Sequence, residues 1–226
     1  MAAKEEITKY YNELANNYDK SRFLNSYGRY INHQENQILK KYLNKKNVKN
    51  NLDLACGTGR FLKYADYGMD LSREMVKISR KKFPLKNISV GDAESLPYGN
   101  CFFENIISFH LFMHLDLVQL KVIFKEINRV TIKGGYFIFD IPSKKRREIT
   151  KYKANSWHGG NQINLETLKE ITSENWELVA FHGVAFFPIH RIPIKLRPFF
   201  LKLDSILCNS IFKELSSHLV FVLLKK

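Results

Sequence analysis

Asn51-Leu52-Asp53-Leu54-Ala55-Cys56-Gly57-Thr58-Gly59 is the stretch that decides the fold. The apolar run broken only by Asp53 reads as a short strand, and Cys56-Gly57-Thr58-Gly59 as the tight turn that ends it. Glycine has no Cβ, so backbone built this way can lie close against a ligand. Working downstream, further strands are predicted at Tyr64–Met69, Ile88–Gly91, Phe102–Ser108 and Tyr136–Ile141. Phe102–Ser108 carries Phe102, Phe103, Ile106 and Ile107, the apolar content expected of a strand covered on both faces. Ser72 is placed to cap a helix running to Lys82. Asp116 with Gln119 makes a capping-box start for a second helix. That helix repeats Leu117, Leu120, Ile123, Phe124, Ile127 and Val130 on one face, and Lys133-Gly134-Gly135 is expected to end it. Strand–helix–strand order at this spacing predicts right-handed crossovers and a mainly parallel sheet.

On the N-terminal side, Tyr27–Leu43 puts Tyr30, Ile31, Ile38, Leu39 and Tyr42 mostly on one helical face, before a lysine/asparagine loop at Asn44–Asn50. Beyond Pro142, Leu165–Ile171 reads as helix, Trp176–Phe187 as strand, Ile194–Leu207 as helix and His218–Leu224 as a closing strand. These last elements are expected to add an antiparallel C-terminal edge to the sheet. No repeat, low-complexity tract or Pro/Gly linker divides the chain. The expected fold is α/β: a Rossmann-like single domain over residues 1–226, a mainly parallel central sheet with helices on both faces.

Composition narrows the function classes. At 226 residues the chain can bury one substantial core without disulfides or a structural metal. A hydrophobic share of 45% and a charged share of 26% exclude an intrinsically disordered chain. No apolar run approaches the ~18 residues of a membrane span, and the charged start lacks a signal-peptide core. Cys56, Cys101 and Cys208 are few, odd in number and far apart, which fits a reduced, cytoplasmic protein and names no disulfide or zinc site. The net charge of +14 favours anionic partners such as phosphorylated metabolites, nucleic acid or an acidic membrane surface. A lysine-rich surface that merely keeps the chain soluble gives the same number.

In an open parallel sheet, ligands bind beyond the carboxyl ends of the strands. The first strand ends in the glycine turn, and the second in Asp70, whose carboxylate suits the vicinal hydroxyls of a ribose. The third ends in Gly91-Asp92-Ala93, where a side chain and a backbone N–H could grip an adenine edge. The fourth ends in Ser108-Phe109-His110, with His114 close behind. A dinucleotide-binding turn would need a third glycine where Leu62 stands, and an acid ~20 residues on rather than at Asp70.

This series resembles the class I S-adenosylmethionine-dependent methyltransferases, in particular their small-molecule branch with an Asp-Ala-Glu-x-Leu-Pro signature. Here that signature is Asp92-Ala93-Glu94-Ser95-Leu96-Pro97. The resemblance covers about Tyr10 to Pro142. It implies a cofactor, S-adenosyl-L-methionine, left as S-adenosyl-L-homocysteine. The implied binding residues are Ala55, Cys56, Gly57 and Gly59 for the amino-acid part, Asp70 and Leu71 for the ribose, and Asp92 and Ala93 for the adenine. Phe109 and His114 would face the methyl donor. Tyr10 to Asp19 resembles the segment that folds over the cofactor in that family, which puts Tyr18 beside His114 as a catalytic candidate. Residues 1–43 are then a helical lid, 50–142 the cofactor-binding core and 143–226 the substrate side. One departure is the crossover Arg60–Tyr64, which leaves room for barely one helical turn. The implied acceptor is a small molecule, the net charge favours an anionic one, and monomer and homodimer are both open. The alternatives are an RNA substrate, or a partner-binding protein on the same fold. No metal is required, and no cluster with metal-ligand spacing is visible. Lys144-Lys145-Arg146-Arg147 is expected to be a solvated loop.

Overall fold

The computed structural model describes residues 4–43, 49–153, 161 and 163–226. Most of the lysine/asparagine loop, residues 44–48, lies outside the described residues. Seven strands form one sheet in the order β3-β2-β1-β4-β5-β7-β6. They are β1 (Asn51–Leu54), β2 (Tyr67–Asp70), β3 (Asn87–Val90), β4 (Phe103–Ser108), β5 (Thr131–Pro142), β6 (Trp176–Val184) and β7 (His218–Lys225). The first five pair in parallel, and β7 runs antiparallel to both β5 and β6. The reversed strand therefore lies one place in, with β6 outside it at the edge.

Among the described residues, eight α-helices surround the sheet: α1 (Lys4–Leu14), α2 (Tyr18–Arg22), α3 (Ser26–Leu43), α4 (Arg73–Lys82), α5 (Leu117–Val130), α6 (Lys144–Ile149), α7 (Leu165–Thr172) and α8 (Arg197–Cys208). Strand alternation builds two cores. Ile106, Phe137, Phe139 and Phe221 pack on one face with Leu120, Ile123, Phe124 and Ile127 of α5. Ile107, Ile138, Val220 and Val222 pack on the other with Ile31, Ile38 and Leu39 of α3. Successive strand residues point to opposite faces, so each neighbouring pair feeds both layers. A buried amide chain stitches the centre: Asn105 donates to Asn51 at 2.9 Å and accepts from the Tyr136 N–H at 3.0 Å.

The caps form as the side chains dictate. Ser72 accepts from the Met75 N–H at the start of α4, and Asp116 with Gln119 makes the reciprocal box of α5. Three expectations need correction. The second strand starts at Tyr67, because Leu62–Tyr64 is spent on a single 3₁₀ turn that constitutes the crossover. α5 stops at Val130 and β5 begins at once, running through Gly134-Gly135. There the β4–β5 register shifts, and a Cβ on Gly135 would stand 2.3 Å from the Glu104 carbonyl oxygen. The two glycines form an irregularity in a strand and do not stop a helix. Finally, residues 144–149 are helical, with Ser143 as N-cap. Arg146 donates to the carbonyls of Phe186 and Leu215 at 2.8 and 2.9 Å, so it ties two loops together rather than sitting free in water.

Candidate active site

The turn after β1 coils tightly. Ala55, Gly57 and Gly59 all have positive φ (59°, 53° and 91°), and the Cys56 N–H is anchored to the Met69 carbonyl at 3.0 Å. A Cβ at Gly57 would meet nothing within 4 Å, so open space lies directly against this backbone. A Cβ at Gly59 would instead run into the Phe83 ring at 2.9 Å. Gly59 shapes the turn, whereas Gly57 presents it.

Asp70 bridges two elements. Its Oδ2 accepts from the Gly57 N–H at 2.7 Å and its Oδ1 from the Ser72 N–H at 2.8 Å. Burial pushes this carboxyl up and the backbone donors pull against that, with a net rise from the ordinary value. At the opposite end, Asp92 accepts from the Glu94 N–H at 2.9 Å. Lys4 of α1 reaches over to Asp92 and Glu94, 2.6 Å from each.

Ala55, Gly57, Asp70, Leu71, Asp92, Ala93, Phe109, His114 and Tyr18 line one cleft of about 890 Å³, counting space open to solvent. Cys56 and Gly59 are not on its wall. Cys56 instead packs among Leu62, Ala65, Val76 and Ile88, where burial pushes its thiol up. The N-terminal segment covers the cleft with Lys4, Ile7, Tyr11 and Tyr18. Polar clips hold it there: Asn12 accepts from the Ser72 hydroxyl at 2.7 Å, and Thr58 donates to Asp19 at 2.5 Å.

His114 closes the 3₁₀ turn Phe112–His114, and its Nε2 lies 2.9 Å from the Tyr11 hydroxyl. Burial raises the phenols of Tyr11 and Tyr18, so both stay protonated at neutral pH. A second cavity, about 690 Å³, lies beyond these side chains, walled by Phe23, Tyr27, Met113 and His218. Tyr11, Tyr18, His110 and His114 face both cavities.

The sequence reading places His110 at the end of the fourth strand but gives it no role. It has φ 63°, an uncommon conformation for a residue with a Cβ, and strain of this kind concentrates at functional sites. Its N–H donates to Asp140 Oδ1 at 2.6 Å, and its ring lies 3.2 Å from Glu35 Oε1 and 3.4 Å from Asp140 Oδ2. Burial alone would lower its pKa, but Asp140 and Glu35 outweigh burial and raise it. Glu35 is fully buried in α3 and paired with Arg60, whose guanidinium lies over the Phe23 and Phe61 rings. Burial would raise Glu35, yet Arg60 and His110 hold it below the carboxylate range. One signal was available. Glu35 stands four residues after Ile31 and three before Ile38, on the buried stripe of the helix. Asp53 lies beneath the glycine turn with Oδ2 unpartnered, and burial pushes its carboxyl up to about 8.

Residues 52–139 match the family model described as "Methyltransferase domain". An uncharacterised protein of Methanocaldococcus jannaschii is 39% identical over 140 residues, covering 61% of this chain and 52% of that one. The demethylmenaquinone methyltransferase of Paenarthrobacter aurescens is 36% identical over 94 residues, 38% of this chain and 36% of that one. The chain thus spans about half and about a third of these curated relatives. Among solved structures, a SAM-dependent methyltransferase of Thermotoga maritima, titled a possible histamine N-methyltransferase, superposes with TM-score 0.71 at 21% identity. That match covers 97% of this chain and all of the other, which shows a shared fold. Residues 52–139 thus match a methyltransferase domain, on a fold shared with solved SAM-dependent methyltransferases.

Proposed function

We propose that this chain moves the methyl group of S-adenosyl-L-methionine to an oxygen, nitrogen or carbon of a small-molecule acceptor held in the aromatic cavity. The observation that carries this reading is the shared wall. A cleft with Asp70 at one end and Asp92 at the other meets a second cavity through Tyr11, Tyr18, His110 and His114. The residues present fit the cofactor. The space beside Gly57 suits its amino-acid part, the Asp70 carboxylate keeps free lone pairs for a ribose, and Met69, Leu71 and Leu115 supply apolar walls.

The bound cofactor supplies a methyl group already activated by its sulfonium, so the protein's share is alignment, exclusion of water and proton handling. Asp70 orients, Tyr18 and Ile7 exclude water, and Phe109 adds an apolar wall to the cofactor cleft. His114 takes the acceptor's proton on a ring nitrogen, while the Tyr11 hydroxyl fixes the ring. The cationic excess, with Arg22 at the mouth of the second cavity, favours an acidic or phosphorylated acceptor. Residues 1–226 act in this reading as one unit, with 1–43 as lid and 143–226 as substrate side. The free cysteines Cys56, Cys101 and Cys208 suit a reduced cytoplasmic setting. Among the described residues no helix is long and apolar enough to cross a membrane.

The test is calorimetry with S-adenosyl-L-homocysteine, followed by transfer of labelled methyl from the cofactor into metabolite and RNA pools. Label in small acidic metabolites is expected. Salt-sensitive labelling of RNA would shift the acceptor to nucleic acid, and absent cofactor binding would leave only a partner-binding protein.

A further inference from the structure

The sequence shows no metal-ligand spacing, yet the fold gathers His110, Asp140 and His218 from the ends of β4 and β5 and the start of β7. One ligand-capable atom from each lies within 4.8 Å of the others. Asp140 is 1% exposed, and its Oδ2 has no hydrogen-bond partner although its Oδ1 is engaged by the His110 N–H. His218 Nδ1 is likewise buried without a partner. Asp140 Oδ2 meets the His110 ring at 3.4 Å without a hydrogen bond, and two polar atoms without hydrogen bonds in one buried corner carry a desolvation cost that normal packing avoids.

We propose that His110, Asp140 and His218 are the protein ligands of a divalent transition metal whose open positions face the aromatic cavity and take an oxygen of the acceptor. The spacing supports chelation. His110 and Asp140 Oδ2 are 3.4 Å apart, the span of two bonds of roughly 2.1 Å meeting near a tetrahedral angle. Two imidazoles and one carboxylate with positions left open is a donor set suited to zinc, cobalt or ferrous iron rather than calcium or magnesium. The outer contacts are also in place. Glu35 holds the other side of the His110 ring at 3.2 Å and is itself paired with Arg60, the carboxylate–histidine arrangement that orients metal-bound imidazoles. His110 and His218 both line the cavity, so a ligand there reaches the metal.

Metal capture stands on these side chains alone; assigning its open positions to the acceptor rests on the methyl-transfer reading. There, an acceptor hydroxyl bound to the metal breaks its O–H bond at neutral pH, as metal-bound water does, and the proton passes to His114.

The experiment is titration of the chelator-treated full chain with cobalt(II), followed by visible absorption. One equivalent bound, with d–d bands of nitrogen and oxygen ligation, is expected. His218→Ala and Asp140→Asn should each weaken binding ten-fold or more, with circular dichroism confirming that the variants fold. Acetohydroxamate, an oxygen chelator, should shift the bands of the wild-type complex. No binding, or equal affinity in a folded His218→Ala chain, would overturn the site. So would a thiolate-to-cobalt band that vanishes in Cys101→Ser. An unshifted acetohydroxamate spectrum would overturn the open positions. S-adenosyl-L-homocysteine calorimetry on the same sample reports the methyl-transfer reading separately, so either can fail while the other stands.

Discussion

The two sides of the shared wall are built in different ways. On the proposed reading, the cofactor side comes from consecutive strand ends: Ala55 and Gly57 after β1, Asp70 at the end of β2, Asp92 after β3. Asp70 and Asp92 are held in part by near sequence neighbours, Ser72 and Glu94. The proposed acceptor side is assembled from far-separated pieces: Tyr11 of α1, Glu35 of α3, His110 after β4, Asp140 of β5 and His218 of β7. A site made of local turns is written in spacing. A site made of tertiary meetings is written only in the fold, and its buried charges depend on partners up to a hundred residues away.

The strongest way to break this division is at His114. On the proposed reading, His114→Gln should lower turnover by ~10²–10⁴ while S-adenosyl-L-homocysteine affinity stays close to wild type, because the ring handles a proton and not the cofactor. Stopped assays with saturating cofactor would measure it. Full turnover would remove the base role. Lost cofactor affinity would move His114 to the cofactor side of the wall. Tyr18→Ala is the contrast, since it covers the cleft as well and should weaken both.

Asp53 sharpens the comparison through pH. Its folded value of about 8 lies above the ordinary 3.8 because burial disfavours the carboxylate and Arg60 only partly offsets this. A raised acid binds its proton longer in the folded state. Its stabilising contribution is therefore complete below about pH 4 and is lost as pH rises to about 8. The slope is at most ~1.4 kcal/mol per pH unit for one proton. Asp53→Asn mimics the protonated form and should remove that slope. Melting temperatures between pH 6 and 8 should fall for the wild type relative to Asp53→Asn, and parallel curves would show that Asp53 is charged.

The sheet was legible nearly in full, because hydrophobic period and capping chemistry are local. Ser72, and Asp116 with Gln119, cap where expected. The misread places were those where long-range packing decides. Gly134-Gly135 signals a helix stop in isolation, but Glu104 on the neighbouring strand makes it a strand irregularity. Lys144–Arg147 resembles a solvated charge run until Phe186 and Leu215 present carbonyls to Arg146. His110 was visible only as the end of a strand, with no role, because its partners Glu35 and Asp140 come from α3 and from the neighbouring strand β5.

Asp70 probes the locally written side. Asp70→Ala should weaken cofactor affinity ten-fold or more, since charge-assisted bonds to ribose hydroxyls contribute about 1.5–3 kcal/mol. The same change strips the Gly57 and Ser72 N–H groups of their acceptor, so a lowered melting temperature should accompany it. Asp70→Asn keeps one acceptor oxygen and should lie between. Calorimetry and thermal melts on the pair separate the two contributions, and unchanged affinity in Asp70→Ala would take the residue out of the site.

Lys4 offers the smallest effect and the finest distinction. It clips α1 across to the proposed adenine end of the cleft, pairing with both Asp92 and Glu94. These side chains are 26–41% exposed, so water and salt screen the pairs and each contributes roughly 0–1 kcal/mol. If Lys4 acts as a latch over bound cofactor, Lys4→Ala should raise the S-adenosyl-L-homocysteine dissociation constant about two- to five-fold, mostly through faster release. The difference from wild type should shrink as salt rises, because only the wild type has a screened pair to lose. If Lys4 instead competes with the ligand for Asp92, the same variant binds more tightly. The latch is the expected outcome, because Ile7 and Tyr11 on the same helix already cover the cleft, and releasing Lys4 frees the end of that cover.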